Sequence, residues 1–193
     1  GFNAYSVPAG TRIATIRYGN VLGSRGSVIH IWRKALREHR PLPLTNRLAT
    51  RFIITMDKAI ACIDEAIEAM QGGEIFVPKL PWAFVEDIGR AMADTMEGVP
   101  CPVKYPKFEV VGLRAGGEKI HEQLLSDDER HRCSETNRSY VVLPHIRSWG
   151  VEKEWIRLPG RVSEYVSGGP FVPRRLPREL ADQIAAVPEE GLF

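Results

Sequence analysis

Four side chains of this 193-residue chain have types suited to holding a ligand: Asn20, Arg51, Arg114 and Glu118. The amide of Asn20 can donate to a phosphate oxygen or a sugar hydroxyl and accept from another; its plain alternative is to stabilise a turn. Arg51 and Arg114 are isolated cations beside strand-like runs. A planar guanidinium matches the oxygens of a pyrophosphate, although a solvated surface arginine is the commoner state. The carboxylate of Glu118 can accept from ribose hydroxyls. The chemistry on offer is recognition of a polar, anionic small molecule. His121-Glu122 makes no metal motif, because no His-Glu-x-x-His occurs, and His30, His39, His131 and His145 are scattered as structural or exposed histidines are.

The element that must organise these groups is Arg17-Tyr18-Gly19-Asn20-Val21-Leu22-Gly23-Ser24-Arg25-Gly26-Ser27-Val28. Ile13 and Ile16 before it belong to a short apolar run of buried-strand type. After it, Val28, Ile31, Trp32, Ala35 and Leu36 fall at helical spacing, with Ser27 at the N-cap position. A strand, a glycine-rich turn and a helix N-terminus are equipment for a phosphate or a polar sugar; the same pattern also serves as a mere tight connection. A dinucleotide fingerprint would want an acidic residue roughly 20 positions on. That region reads Leu44-Thr45-Asn46-Arg47, so this turn is not the primary cofactor cradle.

The stretch resembles the segment that follows the catalytic helix in extended short-chain dehydrogenase/reductases (SDRs). Within them it is most similar to the UDP-N-acetylglucosamine 4,6-dehydratases of capsule, O-antigen and flagellin-glycan synthesis. Three further stretches resemble that branch in the same order: Ala49-Thr50-Arg51-Phe52-Ile53-Ile54-Thr55, Gly73-Glu74-Ile75-Phe76-Val77-Pro78-Lys79, and Val111-Gly112-Leu113-Arg114-Ala115-Gly116-Gly117-Glu118-Lys119-Ile120-His121-Glu122. The resemblance implies that Asn20, Val28, Thr45, Arg51, Arg114 and Glu118 meet a UDP-sugar, with Val28 contributing packing alone. It implies that Val21, Leu22, Gly23, Ser24 and Arg25 line the nicotinamide side of NADP, with NAD as the other possibility. The family usually has Arg-Pro-Gly-Glu-Lys where this chain has the longer Arg114-Ala115-Gly116-Gly117-Glu118-Lys119. The family's Tyr-x-x-x-Lys pair is missing: four residues after Tyr5, Tyr18, Tyr105, Tyr140 and Tyr165 stand Ala9, Leu22, Glu109, Pro144 and Gly169. No catalytic residue is therefore assigned within the chain.

The resemblance implies an α/β fold, the C-terminal portion of an extended SDR Rossmann fold plus a small α/β substrate-binding domain. Residues 1–26 would be a late Rossmann strand and turn. Residues 27–145 would form the substrate region, with a returning Rossmann strand near 74–78, and 146–193 a C-terminal extension. The opening Gly1-Phe2-Asn3 reads as the start of a C-terminal part of a longer protein. The whole enzyme would oxidise C4 of UDP-N-acetylglucosamine, eliminate water across C5 and C6, and return hydride at C6. A UDP-sugar epimerase of the same superfamily and a non-catalytic UDP-sugar-binding fragment are the alternatives.

Composition agrees with a soluble α/β chain. A net charge of +2 argues against nucleic acid or an anionic membrane as partner. Cys62, Cys101 and Cys133 form no Cys-x-x-Cys pair, which suits reduced thiols in a cytoplasm. No apolar run reaches a membrane span. The full-length protein is expected to be a cytoplasmic homo-oligomer. Periodicity predicts strands at 11–18, 52–55, 74–77, 103–113 and 140–144, and an extended run at 41–45. It predicts helices at 27–39, 56–70 (Ile60, Ile63, Ile67 and Met70 inward), 81–98 (Val85, Ile88 and Met92 inward), 117–125 and 178–187, with 126–130 a charged loop. Without its sheet neighbours the 11–18 strand is expected to leave an apolar edge.

Overall fold

A computed structural model describes residues 11–96, 106–145, 165–169, 174 and 177–187. In chain order these form β1 (Thr15–Ile16), β2 (Asn20–Val21), α1 (Val28–Arg37), β3 (Leu42–Leu44), β4 (Thr50–Ile54), α2 (Met56–Ala69), β5 (Ile75–Pro78), β6 (Trp82–Phe84), α3 (Val85–Thr95), β7 (Phe108–Val110), α4 (Asp127–Arg130), β8 (Cys133–Glu135), β9 (Ser139–Val142) and α5 (Pro177–Ala185). The α/β class is the expected one. The readings that fall on 1–10, on 97–105 and on most of the C-terminal extension lie outside the described residues.

The largest sheet has the order β1-β5-β9-β8. β1 runs parallel to β5, pairing Thr15 with Ile75 and Ile16 with Phe76, and a parallel neighbour requires a crossover connection. The crossover contains α2, which lies against β1. A second sheet, β2-β4-β6, pairs Asn20 with Ile53 in parallel and Arg51 with Ala83 in antiparallel register. A third pairs β3 with β7. Ile29, Trp32 and Leu36 of α1 pack with Leu42, Leu44, Met92 and Ile184 in one apolar core. The Trp32 indole N–H donates to the Pro43 carbonyl at 2.8 Å, so the ring is buried with its polar atom satisfied. Phe52, Ile54, Val77 and Val142 centre a second core, and Phe76, Val141 and Leu143 a third.

Several expectations change. The strand at 11–18 shortens to β1. Asn20 lies in strand β2, not in the turn, because Asn20 and Val21 pair with β4. The predicted helix at 81–98 starts only at Val85, since Trp82–Phe84 pair with β4 as β6. No helix forms at 117–125: Gly116 and Gly117 take φ +113° and +95°, outside the helical region, and Gln123 bridges Val166. The charged loop at 126–130 contains a short helix with a capping box, Ser126 Oγ accepting from Glu129 N–H and the Glu129 carboxylate from Ser126 N–H.

Of the stripe predicted to face inward, Met70 packs against the third core, while the three isoleucines of α2 face out. Ile60, Ile63 and Ile67 are 51%, 38% and 59% exposed, while Ala59 and Ala66 are buried. The helix carries two apolar stripes. The one of small residues, with Cys62 and Ala69 partly buried beside the alanines, lets the helix approach Phe76 and Val141 closely. The isoleucines are left on the far side.

Candidate functional site

The site begins with a close approach of two strands. A Cβ on Gly19 would fall 2.3 Å from the Phe52 carbonyl oxygen, so only glycine lets the chain pass there. The next residue, Asn20, is then held in register with Ile53. On β4, alternation sends Phe52 and Ile54 into the core and turns Arg51 and Ile53 toward a cavity. The turn 21–26 closes one side: Ser24 N–H donates to Val21 C=O (3.3 Å) and Ser27 N–H to Ser24 C=O (2.9 Å). Gly23 and Gly26 supply φ of +76° and +72°. Ser27 is the N-cap of α1, as its position suggests, but its side chain makes no cap bond; its Oγ is buried without a hydrogen-bond partner among the described residues.

This cavity measures about 330 Å³. Its lining contains Asn20, Val21, Leu22, Ser24, Arg25, Val28, Thr45, Arg51, Arg114 and Glu118, so the positions singled out from sequence meet in one place, Gly23 excepted. Gly23 faces elsewhere: a Cβ there would lie 2.3 Å from Val187 Cγ1, and its carbonyl accepts from His30 Nε2 at 3.0 Å. Asn20 and Arg114 share the cavity, with Arg25 exposed at its edge.

Arg51 and Glu118 are paired with one another. Arg51 donates through Nη1 to the carbonyls of Thr50 (2.8 Å) and Ile120 (3.2 Å), and through Nη2 to Glu118 Oε1 (3.1 Å). Glu118 also accepts from the Thr45 hydroxyl (3.1 Å) and the Arg114 N–H (3.0 Å). Burial pushes the Glu118 carboxyl up, but those two bonds and the charges of Arg51 and Arg114 outweigh it and hold it below the usual range. The longer Arg114-to-Glu118 spacing thus closes into a loop in which Glu118 bonds the Arg114 main chain. Behind Arg51 lies a residue the sequence reading left without a role. Glu122 stands 3.4 Å from Arg51 Nε, and with the Asn20 amide assigned so that its nitrogen, not its oxygen, faces the acceptor-only carboxylate, it accepts from that nitrogen at 3.2 and 3.3 Å. Its one sequence signal was its place at the end of the fourth motif. The arrangement can hold an anion beside an array of hydrogen-bonding groups.

Comparison with known proteins decides the kinship. A family model described as polysaccharide biosynthesis protein matches residues 2–144. The chain belongs to that family. It is 36% identical over 138 residues to a UDP-N-acetylglucosamine 4,6-dehydratase (inverting) of Campylobacter jejuni subsp. jejuni serotype O:2, covering 71% of this chain and 38% of the relative. A second enzyme of that name, from serotype O:23/36, is 33% identical over 161 residues, covering 82% of this chain and 45% of the relative. The chain therefore spans less than half the length of these curated family members. A UDP-glucose 4-epimerase of Rickettsia massiliae is 30% identical over 137 residues, covering 71% of this chain and 38% of the relative. Among solved structures, Pen from Bacillus thuringiensis superposes with a TM-score of 0.71 at 27% identity, covering 90% of this chain and 48% of that one. The resemblance drawn from four motifs holds at the level of the family, and the α/β fold is the extended-SDR type it implied.

Proposed function

We propose that this chain is the substrate-clamping part of a nucleotide-sugar 4,6-dehydratase acting on UDP-N-acetylglucosamine in surface polysaccharide or glycan synthesis. The observation that carries the reading is the convergence of Asn20, Thr45, Arg51, Arg114 and Glu118 on one cavity beside the 21–26 turn. Arg51 and Arg114 take the pyrophosphate, whose charge and paired oxygens suit guanidinium groups. Glu118 takes ribose hydroxyls, Asn20 and Thr45 bond the sugar nucleotide, and Val28 packs on it. Residues 1–26 then belong to the nucleotide-binding domain and 27–145 to the substrate region.

The turn fits one end of a nicotinamide dinucleotide. Leu22, Ser24 and Arg25 line the cavity, and the unpartnered Ser27 Oγ sits in the same lining. Gly23 contributes its conformation to the turn. Bound there, NADP supplies the oxidation that acidifies the sugar's C5 proton, which is why a net dehydration uses a redox cofactor. The chain's own residues hold and orient; the sequence contains no Tyr-x-x-x-Lys, so proton transfer is assigned to no residue here. A UDP-sugar epimerase is the second reading, favoured by the likeness to the Rickettsia enzyme.

Calorimetry of the 193-residue chain tests the clamp. UDP and UDP-N-acetylglucosamine should bind weakly, NADP more weakly still, and turnover should be absent. NADP binding as tight as UDP binding would reassign the glycine-rich turn as the main cofactor cradle. In the full-length protein, mass spectrometry separates the two activities, since a dehydratase product has lost one water and an epimerase product is an isomer.

A further inference from the structure

Glu122 is anchored from behind and reaches forward. Its N–H donates to Ser167 Oγ (2.7 Å) and its carbonyl accepts from Ser167 N–H (2.8 Å). Ser167 is itself buried and tied to β4, its Oγ donating to the Thr50 carbonyl (3.2 Å) and accepting from the Thr50 hydroxyl (2.9 Å). From this fixed base the Glu122 carboxylate stands 3.4 Å from Arg51 Nε, accepts from the Phe52 N–H at 3.4 Å and faces the end of the Asn20 amide, whose nitrogen, once assigned to that side, donates to it at 3.2 and 3.3 Å. One carboxylate thus joins two cavity-lining side chains that come from different strands.

The two glutamates on Arg51 differ in kind. Glu118 holds Nη2 from an exposed loop with glycines at 112, 116 and 117, so an incoming anion can exchange with it. Glu122 does not line the cavity and is held by Ser167, so its grip on Nε persists when Nη2 changes partner. The carboxylate also sets the polarity of Asn20. It has acceptor oxygens alone when ionised, so the amide nitrogen turns toward it and the amide oxygen turns away. An oxygen so placed suits a hydroxyl donor and repels a phosphate oxygen.

We propose that Glu122 is a positioning residue: without touching the ligand, it fixes Arg51 as the reader of the nucleotide's charge and Asn20 as an acceptor for a sugar hydroxyl. The proposal rests on the nucleotide-sugar reading above.

The test uses the full-length protein, with UDP-N-acetylglucosamine and UDP as probes. Glu122→Gln should raise KM for UDP-N-acetylglucosamine about tenfold, the loss of one charge-assisted bond, with kcat within about twofold. Asn20→Asp sets two carboxylates face to face and should cost a similar factor. Combining Asn20→Asp with Glu122→Gln exchanges acceptor and donor across the pair and should restore most of the binding, a rescue that a merely structural role would not give. An unchanged KM in Glu122→Gln, or no recovery in the combined variant, overturns the proposal. Should Glu122→Gln unfold, as judged by circular dichroism, the Asn20→Asp variant and its combination still decide. Arg51→Ala separates the two claims: if it leaves UDP binding unchanged, the nucleotide-sugar reading itself falls; if it weakens UDP binding while the Glu122 variants behave as wild type, only the positioning role falls.

Discussion

Arg114 reaches the cavity from a loop whose main chain is held by its neighbours: its N–H is bonded to Glu118, and Val111 N–H donates to the Leu44 carbonyl at 2.9 Å. Its guanidinium can therefore be removed with little disturbance to the loop. In the full-length protein Arg114→Ala should raise KM for the UDP-sugar about 10- to 100-fold and leave kcat near its original value, as expected for one lost charge-assisted contact. Steady-state kinetics checks this; a lower kcat at constant KM would put Arg114 in the chemistry instead. Gly19 makes a different demand. Gly19→Ala must push Phe52 away, because the new methyl group would overlap its carbonyl, and should destabilise the chain by about 1–3 kcal/mol in urea titrations. Asn20, Arg51 and Arg114 were legible from their motifs, because the residue types themselves state the chemistry. Glu122 was not, since its partners come from 45 or more positions away (Ser167 and Phe52 among them) and no local pattern records them.

At the scale of elements, Arg17 ties the end of β1 to α4. Its two terminal nitrogens donate to the two Glu129 oxygens at 2.8 and 2.7 Å, and Nη1 also reaches the Leu124 carbonyl at 3.1 Å. The Arg17 bond, aided by the capping-box bonds and working against burial, holds the Glu129 carboxyl down at about 2. A depressed carboxylate contributes stability that is complete above the unfolded value, near 4.3, and fades as pH falls through the folded one. Glu129→Gln should therefore lower stability at pH 7 by about 1 kcal/mol, a modest figure because Arg17 is partly exposed. The gap from wild type should narrow between about pH 5 and pH 2, as melts at pH 7 and pH 3 would show. The helix it caps was readable: Ser126-x-x-Glu129 is a capping-box pattern, masked by a run of charges that resembles a loop. The face of α2 was not readable in the same way. Its two apolar stripes score alike by periodicity, and the choice fell to the smaller side chains because only they allow close contact with β5 and β9.

For the molecule as a whole, that choice leaves Ile60, Ile63 and Ile67 in solvent, beside a sheet in which β5 is the strand paired with β1 among the described residues. An exposed apolar stripe favours association. The 193-residue chain alone should therefore sediment as a concentration-dependent mixture, and Ile60→Glu with Ile67→Glu should shift it toward monomer without loss of helical signal. A concentration-independent monomer before substitution would contradict this. The end of α5 has a separate bearing. Arg33 donates to the carbonyls of Ile184 (3.3 Å) and Val187 (2.6 Å), and Val187 covers Gly23. The far end of the described chain thus rests on the turn that lines the cavity, and any ligand that tightens residues 21–26 must also tighten that contact. Deuterium uptake at residues 184–187 becomes a remote gauge of whether the cavity is filled, readable without a label anywhere near the ligand.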